Sequence, residues 1–497
     1  MTSRRALLGW GAAGLASWAA PAAASTAAAF SPQASGWAQR WDVIVIGSGG
    51  AGLAAAITAL EAGAKRVALL EKTSLVGGHT TASSGSLNAY DPIGQLRMGR
   101  VDTLEKYFDD TFNGGGRAAD PALVRVLVEE SEGMLSWMKS LGVSFDAMLF
   151  EAYGGAFPRA HSTILHRSGI TYVDRLLARA RALGAELFFR MRAEKIDMSE
   201  GRAAGVWASD AAGIMHCWRA KSVVIATGGF GASLEMRSRW APGLGSFFGT
   251  TYSVGFPDED PATGDGIRMA EAVGAALREM DAVVAIPFWG GRVLDYPGAE
   301  IFLTSAGVRF TNETQNWEGI LRDLTAVGEA SFWVVTDSRS RKGSTFAAKV
   351  QQGTVKSAAT LSDLAREMKV SERVLRSTMK TYNEAASSGV DPRFGRTRFT
   401  QRIETPPFYF GRERFDVHYT CGGIAITTEC EVRQADEAGR PAERVIPGLF
   451  AAGETTGGVH GRFRLGGNGL TDCFVFGRRA GAAAARFALA EAAPSGR

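Results

Sequence analysis

The chain has 497 residues, 45% hydrophobic and 21% charged, with a formal net charge of +4. That length exceeds one simple core and predicts two domains of ordinary globular composition. No basic block interleaved with aromatics occurs, which excludes nucleic acid as a partner. Cys217, Cys421, Cys430 and Cys473 form no Cys-x-x-Cys, which excludes a haem-attachment or iron–sulfur signature.

In chain order, Arg4-Arg5 precedes a mildly apolar run from Gly9 to Ala20 and then Pro21-Ala22-Ala23-Ala24. A basic start, a small-residue apolar stretch and an Ala-x-Ala ending predict a twin-arginine export signal over residues 1–30 and a periplasmic protein. The Ala- and Gly-rich run is short for a stable membrane span. Asp42 to Ile46 follows, with four β-branched residues in a row, as in a buried parallel strand. Gly47-Ser48-Gly49-Gly50-Ala51-Gly52 then opens an Ala-rich helix running to about Ala62. Gly47 allows the tight turn, Gly49 lets backbone approach a pyrophosphate, and Gly52 lets helix pack on strand. The helix N-terminus offers N–H groups and partial positive charge to phosphate. A second strand, Arg66 to Leu70, ends in Glu71, nineteen residues beyond Gly52 and placed to accept from a ribose hydroxyl pair. Strand, glycines, helix, strand and acid in that order predict a dinucleotide site.

Leu75 to Asn88 is mostly a run of small residues and predicts a loop outside the core. Helical spacing marks about 102–142, with Leu123, Val124, Leu127 and Leu135 on one face, and again Ile170 to Leu183. Ser222 to Gly231 repeats the strand-then-glycine pattern, and Thr263-Gly264-Asp265-Gly266 opens a helix near Ile267 to Val273. From about 282 the text changes to mixed strands and helices richer in aromatics and charges. Near 418 it returns to Gly-rich, strand-like residues through Gly453-Glu454. The chain leaves the nucleotide domain, builds an insert and comes back.

Several of these segments, with Arg309-Phe310-Thr311-Asn312-Glu313, Thr420 to Gly423 and Gly453 to Asp472, resemble the fumarate reductase/succinate dehydrogenase flavoprotein family, especially its soluble exported members. The resemblance implies an α/β fold: an FAD-binding Rossmann-like domain (41–281 and 418–497) split by an inserted α+β capping domain (282–417). It implies FAD rather than NAD, and hydride exchange at a carbon next to an electron-withdrawing group. Carried over by position, Gly47, Gly49, Gly50, Ala51, Gly52, Glu71 and Lys72 hold the ADP half. Gly78, His79, Thr80, Ser84 and Gly85 line the flavin, and Ala226, Thr227, Gly228 and Asp265 touch the nucleotide. Gly453 and Glu454 take the ribityl chain, while Leu465, Gly467, Asn468, Gly469 and Leu470 border the isoalloxazine. His79 stands where membrane-bound members bond their flavin covalently; a covalent link and a plain hydrogen bond are both open readings.

The substrate residues depart from the family. Its Gln-x-His-Pro-Thr reads Val284-Ala285-Ile286-Pro287-Phe288 here, so Ile286 replaces a substrate-binding His. Arg292 and Val293 stand at the Thr-Glu pair, Tyr296 at the proton-relaying Arg, Trp317 at the catalytic acid Arg, and Tyr419, after His418, at the second His. Arg464 matches the carboxylate-clamping Arg. Phe288, Trp289, Tyr296, Trp317 and Tyr419 predict an aromatic pocket for a larger, flatter molecule than fumarate. The expected activity is reduction or formation of a carbon–carbon double bond conjugated to a carboxylate or ketone. Tyr296 and Tyr419 are candidate acids, supported by Arg464, His418 and His460. Alternatives are a 3-ketosteroid-type dehydrogenase and a flavin electron-transfer subunit. Each needs an external electron carrier, such as a c-type cytochrome or a quinone-linked protein.

Overall fold

In this computed structural model the described residues are 40–490, apart from 153–154, 165–167, 256–258, 289, 295, 297 and 344. The predicted export signal and Trp289 lie outside them.

The Arg40–Ile46 strand is central because Val43 to Ile46 are buried on both faces. It pairs in parallel with Val67–Glu71 on one side and Met215–Ile225 on the other. The sheet continues through Glu186–Phe189 at one edge, and through Pro441–Ala451 and Glu431–Ala435 at the other. Covered parallel strands need apolar residues at every position, which explains the unbroken β-branched run. The Gly50–Glu61 helix packs on this sheet and against the long Asn468–Ala490 helix. Gly477 and Gly481 permit that pairing, since a Cβ at either would strike the carbonyl oxygen of Ala51 or Ala55. Thr58 Oγ1 stitches the two helices by donating to the Arg478 carbonyl at 2.9 Å.

The spacing over 102–142 resolves into three helices, Leu104–Gly114, Pro121–Glu129 and Ser131–Ser140, burying Leu123, Val124, Leu127 and Leu135. The stretch 77–88 differs from its expectation. It forms a short helix, Gly78–Ala82, and a strand, Leu87–Asn88, paired with Ala160–His161, and Leu87 is fully buried. Thr80 Oγ1 accepts the Gly50 amide at 3.0 Å, tying this segment to the glycine turn. Small polar residues carry no hydrophobic period, so that tertiary anchor left no mark in the sequence.

Val283–Ile286 pairs antiparallel with Asp416–Thr420, Ile286 opposite Asp416, so the two ends of the intervening stretch lie side by side. Between them in sequence comes an antiparallel sheet in the order Ile301–Leu303, Phe332–Thr336, Phe408–Glu413, Lys356–Ala358. The Leu361–Met368 and Glu372–Ser388 helices seal it with Leu364, Leu375, Met379 and Tyr382. A separate cluster, including Ile286, Trp317, Phe415, Tyr419, Phe463 and Leu465, joins this stretch to the returning chain. No helix of the described residues is long and apolar enough to cross a membrane.

Candidate functional site

A cavity of about 510 Å³ opens at the carboxyl ends of the central parallel strands, lined by Gly47 to Ala51, Glu71, Lys72, Gly78 to Thr80, Ala226 to Gly228, Asp265 and Glu454. Ligands bind at such strand ends in open α/β sheets. Gly47 sits at φ +100°, and a Cβ there would meet the Ala226 carbonyl. A Cβ on Gly52 would strike the Gly47 carbonyl, so Gly52 closes helix onto turn. Gly49 and Gly228 are different. A Cβ on Gly49 would find nothing nearer than 3.9 Å, and one on Gly228 nothing within 4 Å. Their absent side chains therefore belong to the cavity. Glu71 Oε2 accepts from the Ser48 amide at 3.0 Å and Ser48 Oγ at 2.6 Å, and Oε1 from the Thr73 amide. The acid expected to meet a ribose thus also braces the glycine turn. Asp265 pairs with Lys72, Arg192 and Arg268; burial raises its carboxyl, but the charge and hydrogen bond of Lys72 with the charge of Arg192 and the hydrogen bond of Thr263 together hold it below the usual range.

A second cavity of about 210 Å³ shares His79, Thr80, Tyr252, Glu454 and Cys473 with the first. One wall is apolar: Val284, Ile286, Phe288, Leu294, Trp317 and Phe463. Opposed to it in chemistry are Arg464, His418 and Tyr419. The Arg464 guanidinium lies 4.7 Å from the Tyr419 ring centroid and donates from Nη1 to the Leu465 carbonyl, while its buried Nε has no partner among the described residues. Two further cations line the cavity but serve the protein. Arg292, 4.8 Å over Trp317, donates to Glu300 and to the carbonyls of Pro287 and Leu294. Lys349 Nζ donates to the carbonyls of Phe288 and Arg292, and Glu413 accepts the amides of Gly290 and Arg292. Lys349, Arg292 and Glu413 thereby satisfy the backbone of the loop that carries Phe288, and Glu300 holds the Arg292 guanidinium.

Burial, then the charge of Arg464, holds His418 well below its ordinary pKa, so it is neutral; Thr251 Oγ1 lies 2.9 Å from its Nδ1. His79 goes the other way. Burial opposes its charge, but the hydrogen bond from Nε2 to Asp260 Oδ1 at 2.7 Å and that carboxylate's charge outweigh it and raise the pKa. Burial raises Glu454, which accepts from the Thr420 amide and lines both cavities.

A family model described as FAD binding domain matches residues 42–470. Fumarate reductase (cytochrome) of Shewanella frigidimarina is 32% identical over 456 residues, which cover 90% of this chain and 77% of that protein. Urocanate reductase of Eggerthella lenta is 33% identical over 468 residues, covering 90% and 75%. The chain belongs to the fumarate reductase/succinate dehydrogenase flavoprotein family. The open conformation of a flavocytochrome c3 fumarate reductase has a TM-score of 0.72 with this flavoprotein at 30% identity, covering 92% of this chain and 80% of that one. A 3-ketosteroid-Δ4-(5α)-dehydrogenase from Rhodococcus jostii, in complex with 4-androstene-3,17-dione, has a TM-score of 0.70 at 27% identity, covering 90% and 97%. The flavoprotein is an FAD-dependent oxidoreductase acting on carbon–carbon double bonds. The residues present fit FAD: the open faces of Gly49 and Gly228, the helix N-terminus behind Gly49 and Glu71 form one continuous cradle.

Of the residues carried over by position, Gly47 to Ala51, Glu71, Lys72, Gly78 to Thr80, Ala226 to Gly228, Asp265 and Glu454 line the larger cavity, and Ser84, Gly85, Gly467, Gly469 and Leu470 the smaller. Asn468 sits behind that wall, its Oδ1 accepting from Asn88 and Tyr107 and its Nδ2 donating to Thr111. Gly453 and Leu465 pack behind it as well. Tyr296 is a correction. It packs with Val293, Leu294 and Val355, its hydroxyl accepts the Arg341 amide, and it lines neither cavity. Sequence position does not fix side-chain direction in a loop, and the Tyr296 ring is held by the Val293–Val355 cluster instead of the cavity. His460 is also displaced: it lies behind Tyr419, with Nε2 3.3 Å from Asp472 Oδ2. The anchoring set of Lys349, Glu300 and Glu413 was missed. Its members sit far apart in sequence, and the only available signal was Arg292, an uncommon charge in an apolar stretch.

Proposed function

We propose that this flavoprotein reduces, or forms, a double bond conjugated to one carboxylate or ketone on a flat, largely apolar molecule, and that fumarate is not its substrate. The observation that carries the reading is the smaller cavity's division of labour. Arg464 has a buried donor to give, while Ile286, Phe288, Trp317 and Phe463 offer only apolar surface. Arg292 and Lys349 spend their donors on Glu300 and loop carbonyls, so a second carboxylate finds no matched clamp. The relatives named for fumarate and urocanate and the neighbour bound to a steroid dione support the reaction class and its breadth.

Bound FAD supplies the hydride acceptor or donor. The protein's part is to hold the carbonyl with Arg464, exclude water with the aromatic wall and exchange the α-carbon proton, a role we assign to Tyr419. His418, neutral and fixed by Thr251, positions the substrate as a hydrogen-bond partner. In this reading 282–417 is the capping domain. The FAD is held without a covalent bond, because His79 Nε2 is committed to Asp260; flavin remaining with acid-precipitated protein would overturn that. The chain is exported by the twin-arginine route to the periplasm and draws electrons from a small cytochrome or quinone-linked protein. The deciding experiment is an anaerobic screen with reduced viologen against fumarate, aryl-enoates and cyclic enones. Turnover of an aryl-enoate or cyclic enone is expected, and fumarate outpacing all of them would sink the reading.

A further inference from the structure

Behind Tyr419 lies a polar cluster that no part of cofactor or substrate holding uses. Tyr419 Oη donates to Asp472 Oδ2 at 3.0 Å, and His460 Nε2 approaches the same oxygen at 3.3 Å. The Tyr419 and His460 rings meet edge to face at 5.6 Å. All three residues are buried, Asp472 at 1% exposure. Asp472 Oδ1 and His460 Nδ1 have no partner among the described residues. A buried polar atom without a partner is costly to keep, so this idle oxygen and ring nitrogen call for a role beyond packing.

We propose that Asp472 and His460 form a proton relay that reloads Tyr419, so that the phenol exchanges a proton with substrate without becoming a phenolate. The proposal rests on Tyr419 being the proton-exchanging group. In the reducing direction, FAD held in the larger cavity would supply the hydride for the substrate β-carbon. The Tyr419 O–H bond breaks and its proton forms the new C–H bond at the α-carbon. The phenol oxygen takes a proton from Asp472 Oδ2 as that same oxygen takes one from His460 Nε2, so Asp472 ends the step as the carboxylate it began as and the His460 ring gives up one proton. In the oxidising direction each transfer runs backwards. Burial, and then the charges of Asp472 and Glu454, push the Tyr419 phenol well above its ordinary pKa, so a free phenolate is out of reach. A concerted swap keeps the phenol neutral on both sides of the step. Asp472 and His460 line neither cavity; they are positioning residues acting through Tyr419.

The test is single-turnover oxidation of the reduced holoenzyme by an accepted enone or enoate, in H₂O and D₂O. FAD content and substrate affinity are measured on the same samples, because Asn keeps the shape of Asp472 but cannot pass a proton. Asp472→Asn is expected to keep FAD and substrate affinity, to slow the half-reaction at least tenfold and to enlarge the solvent isotope effect. In a Tyr419→Phe background it should add no further loss, since its route is already cut. An Asp472→Asn enzyme that holds FAD and reacts at the wild-type rate overturns the relay, and so does a full additional loss in the double variant. A Tyr419→Phe enzyme at the wild-type rate overturns instead the assignment of Tyr419 itself. Should Asp472→Asn fail to hold FAD, His460→Gln takes its place: a tenfold slower half-reaction supports the relay, and a wild-type rate overturns it. If no acceptor reacts, the ¹³Cζ resonance of Tyr419, assigned by its loss in Tyr419→Phe, decides. A resonance indifferent to either variant overturns the relay.

Discussion

Arg464 keeps its Nε in reserve while Nη1 pins the guanidinium to its own backbone, and Tyr419 stacks beneath it. A charge-assisted hydrogen bond contributes roughly 1.5–3 kcal/mol. Arg464→Ala should therefore lower kcat/KM by about ten- to a hundredfold with FAD content unchanged, measured on whichever enoate or enone is accepted. The two histidines at the cavity make opposite predictions for stability against pH. Unfolded His418 takes a proton near pH ~6.5 that the folded state refuses, so stability is lost as pH falls below about 7. His79 has a raised folded pKa, so its contribution is present at acid pH and is lost as pH rises through that value. Thermal melts of the holoprotein between about pH 5 and 8 should show a flatter acid limb for His418→Gln and a steeper one for His79→Ala. Equal slopes in both variants would contradict these environments. At this scale the sequence was legible where a residue's role follows from its own chemistry, as for Gly47 and Gly52. It misled where a role depends on which way a loop turns, as Tyr296 shows.

The glycine turn and its helix separate two kinds of constraint within six residues. Gly52 has no room for a side chain because the Gly47 carbonyl lies against it, whereas Gly49 faces open cavity. Gly49→Val should fold and melt near the wild-type apoprotein yet be colourless. Gly52→Val should lose both flavin and fold, since overpacking there moves backbone at a cost of about 1–3 kcal/mol or more. Circular dichroism and flavin absorbance on the two purified variants check this, and a yellow Gly49→Val protein would remove Gly49 from the cofactor's path. This strand–turn–helix unit was readable because its period, glycines and closing acid all agree. The Phe288 loop was not. Its shape comes from Lys349 and Glu413, donors and acceptors brought in from elements about 60 and 120 residues downstream, and a local pattern cannot encode such an anchor.

At the scale of the molecule, the text changes near 282 and returns near 418, and the strands Val283–Ile286 and Asp416–Thr420 pair across that interval. What composition did not reveal is that one cluster, which includes Ile286, Trp317, Tyr419 and Leu465, packs the two stretches together and carries the aromatic wall with it. The order of strands in the large sheet has a consequence in time. Met215–Ile225 is flanked in parallel by Arg40–Ile46, made long before it, and by Pro441–Ala451, made long after. At ~5–20 residues per second of synthesis, that second flank is missing for roughly 10–40 s. During this interval the apolar Val223–Ile225 end of the strand stands with an open edge on the ribosome, a template for mispairing. The Asn468–Ala490 helix that covers Gly50–Glu61 arrives later still. FAD capture must therefore follow nearly complete translation, and nascent chains stalled before residue 441 should retain no flavin and should recruit chaperones. Stable flavin on such a stalled chain would show that the sheet can close without its last parallel strand.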